Sequence, residues 1–227
     1  MQFHGIWLRL SYNQRLMLWV VPWHGYIISR AHARKERNKM AFTFEEQAIK
    51  GVFVITPQVF GDNRGYFMET YKKEQFEAAG IKGEFVQDNE SSSTKGVLRG
   101  LHFQKEHTQG KLVRVTHGEV FDVVVDVRPG SSTYGQWVGV TLSSEKKNMF
   151  FVPPGFAHGF LVLSDTAEFV YKCSDVYDPT SEGGIPWNDP DINVQWPVLD
   201  MPYKTSEKDG KHPGFKAQSF EWAEKYL

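Results

Sequence analysis

The chain has one cysteine in 227 residues, Cys173, so no intrachain disulfide can form. That excludes sulfur cross-links as a source of stability and suits a reducing compartment. A lone thiol on a strand-like segment reads as a small core residue rather than a nucleophile. Long apolar runs are missing as well. In the first forty residues the longest, Leu16 to Val21, is far too short to span a bilayer. That segment also lacks the small-residue cleavage site that follows a clean apolar core in a secretory signal. An excess of one charge is absent: 26 Lys and Arg stand against 27 Asp and Glu, for a net −1. The whole chain therefore carries no electrostatic footprint for nucleic acid. Neither an internal repeat nor a low-complexity linker is present.

What remains is the composition of a soluble globular protein, 41% hydrophobic and 23% charged, long enough to bury a sizeable core. The charge is unevenly spread. Residues 1–40 hold seven Arg or Lys and one acid, whereas residues 41–227 hold nineteen against twenty-six. Residues 1–39 are expected to be an N-terminal extension outside the catalytic fold, with Met40 as the natural start. A membrane-surface helix is the rival reading of their basic and aromatic mixture. Residues 40–227 are expected to form a single domain. No membrane partner and a cytoplasmic location are expected.

From Gly51 on, the punctuation is that of an all-β protein. Short β-branched and aromatic runs such as "GVFVITPQVF", "GVLRGLHFQ" and "EFVYKCSDVY" are separated by Gly, Pro, Ser and Asp. Residues 121–128 alternate, with Phe121, Val123, Val125 and Val127 on one face and Asp122, Val124, Asp126 and Arg128 on the other. Such regular short strands suggest a sandwich or jelly-roll barrel with a few short peripheral helices. "YKKEQFEAAG" predicts a short helix stopped at Gly80. "SFEWAEKYL" predicts another, with Phe220, Ala223 and Leu227 on one face.

Two segments carry chemistry. "GVLRGLHFQ" places His102 and Gln104 on the same side of a strand. A lone strand histidine is usually a satisfied core residue. Here Arg99 lies three residues before it and Lys111 nine after it, and three such groups near one barrel mouth suggest an anionic ligand. "PPGFAH" adds His158. Together these segments resemble the two cupin motifs. Metal-binding cupins usually continue as His-x-His with a following acid, but Gln104 replaces the second histidine and Glu106 misses the usual offset. Two imidazoles rarely hold an ion firmly, so no metal and no cofactor are expected.

Read in order, "FGDNRGYFMET", "FVQDN", "STKGVLRGLHFQ", "QGKLVRVTHGEVFDVVVDVR", "FVPPGFAHGFLVLSD" and "EFVYKCSDVYDP" closely resemble the dTDP-4-dehydrorhamnose 3,5-epimerases, metal-independent cupins. The likeness runs from about Gly51 to about Gly210. It implies a jelly-roll barrel that epimerises C3 and C5 of a dTDP-4-keto-6-deoxyhexose by proton abstraction alpha to the ketone. By this resemblance His102 is the base, Lys111 the cation on the enolate oxygen and Tyr171 the proton donor. Asp209 orients the base, with Asp126 a rival for that role. Arg64 and Arg99 match diphosphate contacts; Glu69, Gln87 and Asn89 surround the nucleotide; Tyr177 stacks on thymine; His158 lines the sugar pocket; Glu182 and Lys208 match further contacts. The family also implies a homodimer exchanging an N-terminal segment, so that Arg64 or Glu69 completes the partner's site. The alternatives are a 3-epimerase or other ketosugar isomerase, a non-catalytic sugar-nucleotide-binding cupin and, most remotely, a metal cupin.

Overall fold

The computed structural model describes residues 41–227. The expectations for residues 1–39 lie outside that range. Thirteen strands, β1 (Phe42–Glu46), β2 (Phe53–Pro57), β3 (Val59–Asp62), β4 (Gly65–Met68), β5 (Gln87–Thr94), β6 (Leu98–Gln104), β7 (Lys111–His117), β8 (Glu119–Asp126), β9 (Trp137–Ser143), β10 (Met149–Val152), β11 (Phe156–Val162), β12 (Thr166–Cys173) and β13 (Glu182–Gly184), make up most of the ordered structure. One sheet runs β1-β2-β10-β7-β12-β5 and a second runs β13-β6-β11-β8-β9, while β3 and β4 form a separate hairpin. Every ladder between these strands is antiparallel. This is the expected jelly-roll.

Alternation explains the layers. On β7, Val113 and Val115 point between the sheets, and Phe150, Phe169, Val124 and Phe160 from four other strands meet them there. Phe160 and Phe169 stack across the gap, centroids 4.2 Å apart. Truncating either to Ala would cost about 3–5 kcal/mol. Leu112, of opposite parity to Val113, faces outward and is covered by Phe76 of helix α1 (Lys73–Ala78). That helix stops as predicted: Gly80 takes φ 93°, and the amides of Gly80 and Ile81 bond back to Glu77 and Phe76.

The outer face of the five-stranded sheet carries Val123, Val125 and Val127, covered by the C-terminal residues Phe215, Phe220 and Ala223. The face assignment for β8 therefore holds. The last helix differs from expectation. Glu221–Tyr226 is a 3-10 helix, with three residues per turn. Phe220 and Ala223 are buried, but the next residue on that face is 226, so Leu227 is swung into solvent at 68% exposure. No helix among the described residues is long and apolar enough to cross a membrane.

One contact fixes the relation between β6 and β11. Gly100, at φ 122°, and Gly159 lie against each other's backbone, and a Cβ at residue 100 would sit 2.5 Å from the Cα of Gly159. The register shifts beside this contact, between His158 and Phe160, and His158 lies opposite His102.

Candidate active site

The pocket is built from the inner rows of both sheets. His102, Gln104, Lys111 and His158 line one recess with Gln109, Val152 and Phe156. His102 comes from β6 and His158 from β11 of the five-stranded sheet; Lys111 begins β7 and Tyr171 lies on β12 of the six-stranded one. Tyr171 packs against the inter-sheet core beside Phe169, two residues before it on the same face of β12. Imidazole and phenol therefore project from facing sheets.

His102 is half-buried, and its Nε2 lies 2.6 Å from Oδ1 of Asp209. Burial pushes the Asp209 carboxyl up, but the His102 hydrogen bond and charge and the Ser206 contact outweigh it and hold the group below its usual range. An ionised Asp209 accepts from Nε2–H, which leaves the lone pair of His102 on Nδ1. Asp126, the rival orienter, is engaged elsewhere: Arg128 Nε and Nη2 donate to it at 2.8 Å each, and Ser131 and Thr133 at 2.6 Å each.

Gln104 explains the interrupted metal motif. Its Nε2 donates to the carbonyls of His107 and Val176, and its Oε1 accepts from the amide of Asp178. Where a metal-binding cupin would place an imidazole, this buried amide clamps two loops.

His158 has its own carboxylate. Its Nε2 lies 2.8 Å from Oδ1 of Asp122, which is fully buried. Burial pushes the Asp122 carboxyl up against the opposing pull of His158 and Lys111, and its Oδ2 has no hydrogen-bond partner among the described residues. Sequence reasoning placed Asp122 on the face of β8 opposite Val123 and Val125 without giving it a role. The available signal was that a carboxylate on the inner face of a barrel strand must find a partner there. Burial also pushes the Lys111 ammonium down, with Cys173, Asp122 and Glu182 opposing the shift. Tyr171 is pushed up, mainly by burial, so its phenol stays protonated at neutral pH.

At the rim Tyr177 donates to Glu182 at 3.1 Å, and Lys208 pairs with the same carboxylate oxygen. Gln87 and Asn89 bond each other on the inner row of β5; Gln87 also accepts from the amide of Tyr177, and Asn89 reaches the Cys173 sulfur. Cys173 is fully buried, as a core residue. Arg99 donates to Ser93 of β5, bridging the two sheets. Arg64 and Glu69 are not brought to this cluster. Arg64 sits at the tip of the β3–β4 hairpin paired with Asp62, and Glu69 lies near Lys72.

A family profile described as dTDP-4-dehydrorhamnose 3,5-epimerase matches residues 46–217. The chain belongs to this family. The epimerase is 55% identical over 157 residues to the dTDP-4-dehydrorhamnose 3,5-epimerase of Methanothermobacter thermautotrophicus, covering 69% of this chain and 85% of that one. It is 56% identical over 151 residues to that of Escherichia coli K12, covering 66% and 82%. Its fold matches the Legionella pneumophila enzyme crystallised with dTDP-4-keto-L-rhamnose, with a TM-score of 0.77 and 48% identity over 80% of this chain and 96% of that one. A 3'-monoepimerase from Streptomyces bikiniensis in complex with dTDP-quinovose is more distant, with a TM-score of 0.72 and 33% identity over 76% and 88%.

Proposed function

We propose that this epimerase inverts C3 and C5 of a dTDP-4-keto-6-deoxyhexose, with His102 as base, Tyr171 as acid and Lys111 holding the enolate oxygen. The observation that supports the reading is that His102 comes from β6 of the five-stranded sheet and Tyr171 from the inward side of β12 in the six-stranded one. Inversion needs a proton removed from one side of the ring and returned on the other. The C4 carbonyl acidifies both neighbouring C–H bonds. His102 Nδ1 takes the proton while Asp209 steadies the imidazolium that forms. Charge develops on the carbonyl oxygen, where a preorganised ammonium is worth on the order of 3 kcal/mol. Tyr171 then delivers a proton to the opposite face.

The rim supports recognition of the nucleotide. Tyr177 offers an exposed ring for a base, Arg99 a planar fork for phosphate, and Gln87 and Asn89 an amide row. In this reading His158 lines the sugar pocket, and Glu182 and Lys208 frame its entrance. The β3–β4 hairpin exposes Phe60, Tyr66 and Phe67, at 52%, 59% and 67%. An apolar hairpin carrying an arginine at its tip suits exchange with a second copy, where Arg64 and Glu69 would complete the neighbour's nucleotide site. Mixing inactive Arg64→Ala and His102→Ala proteins tests this: hybrid dimers with one intact site should regain activity, and no recovery would refute the exchange.

The function is tested by incubating substrate and enzyme in deuterated water and following C3 and C5 by NMR. Label at both positions with inverted products is expected. Label at C3 alone would instead support the monoepimerase reading that the Streptomyces bikiniensis likeness keeps in view. His102→Ala should lower turnover by about 10³-fold with dTDP still bound. An unchanged rate would overturn the assignment of the base.

A further inference from the structure

Beside the His102–Asp209 pair stands a third group that the epimerisation does not use. His212 lies edge-on to His102, ring centroids 5.8 Å apart and planes at 73°. One donor atom from each of His102, Asp209 and His212 lies within 4.8 Å of the other two. The Nε2 of His212 is buried and has no hydrogen-bond partner among the described residues. Its ring occupies space that only a glycine leaves open: a Cβ on Gly184 would sit 2.5 Å from the imidazole. Gly184 is also the residue that pairs with His102 in the β13–β6 ladder. The backbone thus holds a second imidazole against the first.

We infer that His102, Asp209 and His212 form a binding site for a transition-metal cation of the Zn²⁺ class, and that occupancy switches the enzyme off. Two imidazoles and a carboxylate are a donor set suited to such ions, with water completing the shell. Metal–ligand distances of about 2.0–2.1 Å put tetrahedral donors about 3.3 Å apart. The His102–Asp209 contact of 2.6 Å has to open slightly and His212 has to close in for all three donors to meet one ion. This position differs from that of the metal in a metal-binding cupin, where Gln104 stands in this chain. Lys208 does not oppose the ion with a free charge, because Glu182 neutralises it.

The inhibitory sense follows from the nitrogen involved and rests on His102 being the base. The base needs its proton on Nε2, directed at Asp209, and its lone pair on Nδ1. A cation bound at Nε2 takes that position, and the imidazole proton moves to Nδ1. The ring stays neutral and no net proton is lost, but the lone pair that would attack the C–H bond is gone. The bond from Asp209 that steadies the imidazolium is lost with it.

The test is calorimetric titration of the full-length protein with ZnCl₂, alongside epimerisation rates at the same zinc concentrations, for wild type and His212→Gln. Comparison of the two proteins cancels zinc bound by histidines elsewhere in the chain. Wild type should bind one more equivalent than His212→Gln and lose activity in parallel, with recovery on adding EDTA. His212→Gln should turn over like wild type in metal-free buffer and need at least about tenfold more zinc for the same inhibition. His212→Asn, with matching melting temperature, guards against a folding artefact. Identical zinc stoichiometry and affinity in wild type and both variants would overturn the site. Zinc bound by wild type alone, without inhibition, would leave the site standing and overturn the switch, whereas the assignment of His102 as base falls only if His102→Ala keeps its turnover.

Discussion

Two histidines of the same sheet, His102 and His158, each pair with an aspartate, and the two carboxylates are pushed in opposite directions. At the mouth, Asp209 is held low by His102 and Ser206 despite its burial. Deeper in, Asp122 is pushed up by burial despite His158 and Lys111, and one of its oxygens has no partner among the described residues. Both contacts are short, 2.6 and 2.8 Å. The difference lies in what else satisfies each carboxylate: Ser206 joins His102 at Asp209, whereas burial at Asp122 outweighs the pull of His158 and Lys111.

The sharpest way to break the comparison is Lys111→Met, which removes a buried cation whose charge acts on Asp122 of the inner pair. Turnover should fall about 10²–10³-fold if the ammonium meets developing charge. The fold should become more stable by about 1 kcal/mol, because a buried ammonium costs solvation that a thioether does not. Lys111 has a folded pKa below its unfolded value, so the folded state binds fewer protons in that interval. The stabilising effect of the substitution should therefore shrink as pH rises from neutrality towards the lysine range. Urea unfolding from pH 7 to 10 checks this; a gain that grows with pH would contradict it.

A smaller effect separates the aspartates. Asp209→Asn should destabilise at pH 7 by about 1.5–3 kcal/mol, the range for a hydrogen bond to a charged group, and should lower turnover. Asp122→Asn should shift stability by no more than about 0.5 kcal/mol, since it removes a charge that the fold resists. Smaller still are the pH slopes. Asp209, with its folded pKa depressed, contributes stability above the ordinary carboxylate range that is lost as pH falls through the folded value. Asp122, with its folded pKa raised, favours the fold most when protonated, a contribution whole below the unfolded value and lost as pH rises through the folded one. Unfolding of wild type and both variants between pH 3 and 7 should show slopes of opposite sign. Equal slopes would mean that the two environments do not differ.

Much of this was legible in residues 41–227. Alternation on β8 set Val123, Val125 and Val127 apart from Asp122, Val124 and Asp126, because a strand's period is fixed by its backbone. The stop after α1 was legible because Gly80 is a local signal. Ordered motifs brought His102, Lys111, His158 and Tyr171 to one barrel. The choice between Asp209 and Asp126 was not legible. Asp209 is 107 residues from His102, and only the closed fold shows that Arg128, Ser131 and Thr133 already occupy Asp126. Leu227 was misplaced because helical pitch is set by tertiary fit, and a 3-10 turn shifts the register by one residue. Arg64 and Glu69 could not be placed because their reading needs a second chain.

The back-to-back glycines of β6 and β11 bear on how such an enzyme can change. With no side chains at residues 100 and 159, the strands that carry the two histidines approach as closely as main chains allow. A single methyl at either point would wedge the strands apart and displace both imidazoles at once. The spacing of those imidazoles is therefore written in the main chain, and no trimming or swapping of neighbouring side chains can retune it without first moving the strands.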